Sequence, residues 1–212
     1  EGQIIGKSIT YESLSGGISL SAGREVQLRN ATITAPGSIE LLASNGRGVS
    51  ALVDAQATMT AGNALTLRAQ NEGYVIAAGT FTSANDANFF AGRSIDLGGS
   101  VTATTGTTNV VAYNANSAIN TAVVVDANIT AGSDVVISAS GPQATVSVNG
   151  GAVRTISAGD DLSISSVNDL SVGGNLTTNT GSNAIGTTSI YAGNNLNLTN
   201  VVMAGGTTLD VV

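Results

Sequence analysis

The chain has 212 residues, with 14 acidic and 7 basic side chains, a formal net charge of −7 and no histidine or cysteine. The lack of histidine and cysteine excludes Ser-His-Asp and Cys-His catalysis, histidine-bound metals and disulfide bonds. The few lysines and arginines do not cluster and the longest apolar runs, such as Ala122–Val125, are short, so neither nucleic-acid binding nor membrane insertion is expected.

A short motif recurs along the chain after Glu1–Ser15, a segment with little pattern beyond three isoleucines. The motif is an apolar residue followed by Thr or Ser, Ala and Gly, and some copies are looser. Its copies begin at Leu20, Ile33, Met59, Phe81, Ala103, Ile129, Ile156, Leu176 and Val202. From Ile33 onward the copies are 20 to 27 residues apart, a period typical of a solenoid, in which each repeat is buried against its neighbours.

Segments of alternating polarity flank the motif copies. T-M-T at Thr58–Thr60 precedes one Ala-Gly, and L-T-L at Leu65–Leu67 follows it. Alternation places one apolar set inward on a strand, and glycine tolerates the corner between strands. Helix-forming residues are scarce, whereas Thr, Val and Ile are plentiful. We therefore predict an all-β solenoid of roughly nine coils that forms one domain over residues 1–212.

The segment Glu72–Gly92 holds all three phenylalanines, Phe81, Phe89 and Phe90, and one of the four tyrosines. One interpretation is that these rings fill the core where a return between coils is longer. The other is an exposed aromatic patch that contacts a partner. On that second interpretation, Phe89 and Phe90 are the candidate contact residues.

A series of T-x-T tripeptides predicts a polar face on the solenoid. The pairs Thr32/Thr34, Thr58/Thr60, Thr80/Thr82 and Thr102/Thr104 are positioned to stack on one flat face, as in ice-binding solenoids. Threonine is also simply a favourable residue on an exposed sheet. The series is interrupted in later coils, at Asn128, Ser157 and Met203.

The best acidic candidates for chemistry are Asp160 and Asp161, with Arg154 and Asp169 nearby in sequence. Parallel β-helices include polysaccharide lyases and hydrolases, which use clustered carboxylates or calcium. Consecutive residues on a strand point to opposite faces, so this pair is better explained as solvated corner residues. We predict no catalytic, cofactor-binding or metal-binding residues and no enzymatic activity.

The repeat units resemble the haemagglutinin-type repeats of the filamentous haemagglutinin family, whose coils look like G-x-I-x-A-G-G-x-L-x-L-x-A. The matching residues are Thr58–Leu67 (T-M-T-A-G-N-A-L-T-L), Asn128–Ile137, Thr155–Ile164 (T-I-S-A-G-D-D-L-S-I) and Gly193–Leu198 (G-N-N-L-N-L). The similarity extends over most of the chain from about Gly16. It implies a right-handed parallel β-helix that forms part of a longer exoprotein.

The resemblance also implies a function and a location. The family's exoproteins are exported by two-partner secretion through an outer-membrane transporter and act at the surface of Gram-negative bacteria. This chain is then expected to be a shaft or adhesive segment of a secreted adhesin or toxin carrier, with a cell-surface glycan or protein as partner and a role in cell adhesion and virulence. The alternatives are a self-assembling filament, surface-layer or phage-fibre segment, a carbohydrate-active enzyme and an ice-binding solenoid.

Overall fold

A computed structural model describes residues 2–44, 52–114, 119–149, 154–178 and 186–211. These ranges contain strands, turns and bends but no helix, and therefore no helix long and apolar enough to cross a bilayer. The strands are β1 (Gln3–Lys7), β2 (Thr10–Glu12), β3 (Ile18–Ala22), β4 (Glu25–Ala35), β5 (Ile39–Ala43), β6 (Leu52–Ala61), β7 (Leu65–Ala69), β8 (Tyr74–Ser83), β9 (Ala87–Ala91), β10 (Ser94–Ala103), β11 (Thr108–Tyr113), β12 (Ala122–Ala131), β13 (Val135–Ser140), β14 (Thr145–Val148), β15 (Thr155–Ala158), β16 (Leu162–Ser166), β17 (Asp169–Thr178), β18 (Thr187–Ala192), β19 (Leu196–Ala204) and β20 (Gly206–Val211).

The strands form two parallel sheets that face each other across one core. Within the described residues, the first sheet has 11 strands, mostly long, and the second has nine short ones. Each coil is a strand of the first sheet, a tight turn, a strand of the second sheet and a return of variable length. The described residues make about eight turns, which confirms the predicted parallel β-helix and is close to the roughly nine coils expected.

The core is a narrow column of stacked apolar side chains. In the first sheet Val26, Val53 and Val75 lie in register, and in the second sheet Ile39 lies next to Leu65. All five are fully buried. Removing one such side chain from water stabilises the fold by about 1.5–3 kcal/mol, so each coil is held mainly by the coils on either side of it.

Positive φ angles recur along one line across the first sheet, at glycine or asparagine in most of its long strands, whereas β6 and β12 have Ala57 and Ala127 there. Gly79 and Gly99 are neighbours in the ladder and have φ of 144° and 91°. Asn30 takes the same place in β4 with φ of 50° and shifts the register against β6 by one residue. Side chains with a Cβ rarely adopt this left-handed region, asparagine being the usual exception. This line divides the first sheet into two portions, and the T-x-T threonines other than Thr104 lie in the second portion.

Two motif copies have a different register from the one predicted. Val101, and not Ala103, pairs with Phe81 and Ile129. In the last coil Met203 pairs with Leu176 and packs against the core, whereas Val202 is 62% exposed. A shift of two residues keeps the same strand face, but a shift of one exchanges the inward and outward sets. The alignment of the motif predicted from the sequence is therefore wrong in these two coils.

Asp54 is a carboxylate buried on the outer side of the first sheet, with 4% of its surface exposed. Its Oδ2 accepts hydrogen bonds from Arg29 Nη2 at 3.0 Å and Gln27 Nε2 at 3.1 Å, and its Oδ1 accepts one from Gln56 Nε2 at 3.4 Å. These donors come from the same strand and from the coil below, so Asp54 ties β4 to β6.

Substitution Asp54→Ala is expected to lower the free energy of unfolding by about 1–3 kcal/mol, because a part-buried cluster of donors loses its acceptor. The measurement is urea unfolding followed by circular dichroism. Asp96→Ala is the matched control, since Asp96 faces outward in the same column two coils further on and is exposed. Equal losses in the two variants would contradict the role given to Asp54.

Candidate functional site

Two of the three phenylalanines are core residues. Phe81, from the first sheet, and Phe89, from the second, are both fully buried. Their rings meet edge to face across the core, with centroids 5.6 Å apart and planes at 83°. The core-filling interpretation is correct for both rings. Phe89 is therefore not a surface contact residue, because its strand position points inward.

Phe90 lies on the outer surface of the second sheet. It follows Phe89 on β9, and successive residues of a strand point to opposite faces. In register with it are Arg68 on β7 and Val111 on β11, both on the same outer face. Of the two candidate contact residues, Phe90 is the one that a partner can reach.

A cleft of about 710 Å³ opens beside Phe90 at the carboxyl ends of β7, β9 and β11. We call it the aromatic cleft. Tyr113, the last residue of β11, is 61% exposed and forms one wall. The volume is within the range of small-ligand sites, about 300–1,000 Å³. The lining residues are Arg68, Ala69, Gln70, Asn71, Glu72, Phe90, Ala91, Gly92, Val111, Tyr113 and Asn114.

Stacked returns contribute lining residues to the aromatic cleft. Asn71 turns the chain with φ of 56°. Gly92 lies so close beside it that an added Cβ would overlap the carbonyl oxygen of Asn71. In the next coil, Asn114 Nδ2 donates a hydrogen bond of 2.7 Å to the carbonyl oxygen of Gly92. Backbone and amide groups of three successive coils therefore meet at the base of the cleft.

The cleft combines ring faces with polar groups of both signs. Phe90 and Tyr113 offer aromatic surface, Arg68 supplies a guanidinium and Glu72 a carboxylate. Aromatic faces bind apolar ligand surfaces, and the planar guanidinium forms paired hydrogen bonds. The arrangement fits shallow recognition of a small polar ligand with an apolar face. Within the described ranges, no group of three or more acidic side chains is placed to hold a metal ion.

Asp160 and Asp161 lie exposed at the turn before β16. The Asp161 carboxylate accepts a hydrogen bond of 2.7 Å from the backbone N–H of Thr187 in the next coil. The backbone N–H of Asp161 donates to Asp134 Oδ1 in the preceding coil at 3.1 Å. Asp161 thus links successive turns, as expected of a corner residue.

Arg154 and Asp169 also form structural contacts. Arg154 Nε donates to Asp126 Oδ1 at 3.1 Å. Asp169 lies at the start of β17, where its Oδ1 accepts hydrogen bonds of 2.9 Å from the side-chain amides of Asn194 and Asn195. The structure therefore does not assemble these residues with Asp160 and Asp161 into one cluster.

Three lining residues of the cleft, Arg68, Val111 and Tyr113, were not singled out from the sequence. The available signal was the alternation around Phe90, but the coils had to be aligned through returns of unequal length to use it. No family model, curated protein or solved structure matches the chain, so the geometry carries the functional conclusion.

Proposed function

We propose that the chain is a shaft and adhesive segment of a large secreted bacterial surface adhesin, which binds a cell-surface glycan in the aromatic cleft. The observation that carries the proposal is the cleft itself, an outward pair of aromatic residues beside polar groups on a solenoid. The resemblance of the repeats to filamentous haemagglutinins supports export through an outer-membrane transporter to the surface of a Gram-negative bacterium.

The solenoid architecture suits a shaft. Parallel strands stack about 4.8 Å apart, so eight turns extend about 38 Å. Each coil contacts only its neighbours, and length therefore increases by adding coils without a larger core. A rod of this kind sets the distance between the bacterial surface and any binding region at the far end of the rod.

The dimensions of the cleft favour a glycan over a protein partner. Stable protein interfaces bury more than about 1,000 Å² in total, whereas this site involves the ends of three strands. The carbon faces of a sugar ring pack against aromatic rings such as Phe90 and Tyr113. Its hydroxyl groups find hydrogen-bonding partners in the amide, guanidinium and carboxylate groups around them.

Binding of the purified chain to a glycan array and to epithelial cells tests the proposal. Phe90→Ala and Tyr113→Ala are each expected to weaken binding about fivefold, because an aromatic contact contributes about 1 kcal/mol. Tyr191→Ala is the matched control: Tyr191 is an exposed ring on the outer face of the same sheet, in β18, outside the cleft.

Saturable binding that the cleft variants reduce and the control retains would support the adhesive role. Equal binding by all variants, or saturable binding to a purified protein but to no glycan, would overturn the glycan assignment. No binding combined with concentration-dependent end-to-end association would favour the filament alternative, and sedimentation velocity measures that association.

A further inference from the structure

Outward side chains of the first sheet form two columns in the second portion of its long strands. The columns run through seven coils, from β4 to β17, and contain threonine at ten of fourteen positions. We call this surface the threonine face. Its pairs are Thr32/Thr34, Thr58/Thr60, Thr80/Thr82, Ser100/Thr102, Asn128/Thr130, Thr155/Ser157 and Asn175/Thr177.

The register makes the threonine face more continuous than the tripeptides suggest. Thr102 pairs with Thr82, so the pair in that coil is Ser100/Thr102, and Thr104 lies beyond the strand end. Met203 is not part of the face. The pairing from β4 to β10 has no register shift within this portion of the sheet.

The threonine face is uncharged and accessible. All fourteen residues are neutral and at least partly exposed. Among them, the described hydroxyl–hydroxyl contact is the 3.5 Å hydrogen bond from Ser100 to Thr80. The other threonine hydroxyls of the face form no hydrogen bond within the described residues. Charged groups begin beyond the face, with Glu12 in the column below Thr34.

The spacing of the threonine face is regular in two directions. Neighbouring coils are about 4.8 Å apart, and residues i and i+2 of a parallel strand are about 6.6 Å apart. Six intervals between coils give the face a length of about 29 Å. Threonine is branched at Cβ and stiff at χ1, so its methyl and hydroxyl groups have few alternative positions before any ligand binds.

We propose that the threonine face binds ice. A neutral, regularly spaced array in which ten of fourteen residues are threonine would order a water layer with repeats near the oxygen spacings on planes of hexagonal ice. Adsorption requires neither a pocket nor charge complementarity, and ordering costs little because the side chains are already fixed. The activity is separate from the aromatic cleft, which lies on the other sheet.

The absence of charge and of large apolar side chains on the face favours an ice lattice as its occupant. Lateral pairing of two rods would bury a surface of threonine hydroxyls, and an unpaired buried hydroxyl costs about 1–3 kcal/mol. An ice surface instead presents donors and acceptors that threonine hydroxyls can hydrogen-bond. An anionic or cationic polymer would find no opposite charge on the fourteen residues.

Thermal hysteresis and ice-plane binding of the fluorescently labelled chain test the proposal. The wild-type chain is expected to lower the freezing point below the melting point and to coat a single ice crystal on defined planes. Thr60→Tyr and Thr82→Tyr, at the centre of the face, place a ring above the lattice and are expected to abolish most of the hysteresis. Thr60→Val keeps the shape of threonine and is expected to retain more activity than Thr60→Tyr.

Thr66→Tyr is the matched control, because Thr66 lies in the same coil but faces outward from the second sheet. It is expected to retain wild-type hysteresis, and circular dichroism verifies that all variants are folded. The proposal is overturned if the wild-type chain shows neither hysteresis nor plane binding, or if Thr66→Tyr and Thr60→Tyr behave alike. Sedimentation that shows wild-type dimers and Thr60→Tyr monomers would assign the face to self-association and equally overturn it.

Discussion

Replacing Leu65 by aspartate is expected to unfold the central coils of the rod. Leu65 is fully buried on β7 and lies in register between Ile39 and Ala87. An unpaired carboxylate at this place costs several kcal/mol, since neither water nor a cation reaches it. Whole domains are stable by only about 5–15 kcal/mol, so the loss is a large part of the total.

Thermal melting followed by far-ultraviolet circular dichroism measures this effect. Thr66→Asp is the matched control, because the adjacent residue faces outward and its carboxylate stays hydrated. Ile137→Asp, three coils further on in β13, is expected to reproduce the loss, as Ile137 is also fully buried. An unchanged melting curve for Leu65→Asp would contradict the inward facing of β7.

The second large effect is expected from Phe89→Ala, which should lower the free energy of unfolding by about 3–5 kcal/mol. The ring is fully buried, contacts Phe81 edge to face, and lies in register between Leu67 and Val110. Ladder hydrogen bonds keep the coils at a constant separation. The structure therefore collapses only partly into the cavity that the substitution leaves.

Urea unfolding gives the size of the loss, and amide hydrogen exchange gives its location. Because a solenoid is coupled mainly between neighbours, protection should fall first in β7, β9 and β11. Phe90→Ala is the control: the ring lies on the outer surface, and its removal should cost much less stability. A similar loss in the two variants would show that the two faces of β9 are not assigned correctly.

The burial of Phe89 and the exposure of Phe90 were not predictable from local sequence. In N-F-F two consecutive residues, Phe89 and Phe90, are aromatic, so the polarity alternation that marks L-T-L at Leu65–Leu67 is missing between them. The pairing with β7 shows which ring faces inward, because Phe89 pairs with Leu67 and Phe90 pairs with Arg68. Residues paired in a parallel ladder point to the same face of the sheet. The inward residues of β9 can therefore be identified from those of β7, whose polarity alternates clearly.

The two candidate surfaces depend on the tertiary structure in the same way. Arg68, Phe90 and Val111 come from three coils, and returns of different length separate their strands. Ser100 replaces Thr104 in the threonine face because β10 pairs with β8 through Thr102 and Thr82, which leaves Thr104 beyond the strand end. Spacing along the chain predicts neither the set of residues that line the cleft nor the set that forms the threonine face.

The sequence by itself determined the fold class, because a period in the twenties with alternating apolar residues can bury its apolar side chains only by stacking coil on coil. It also determined which residue types cover the outside. The register between coils was decided only by the tertiary structure, since returns of unequal length and the extra residue Asn30 in β4 change how many residues each coil uses. The aromatic cleft and the threonine face are properties of that register, and they exist only where separate coils are aligned side by side.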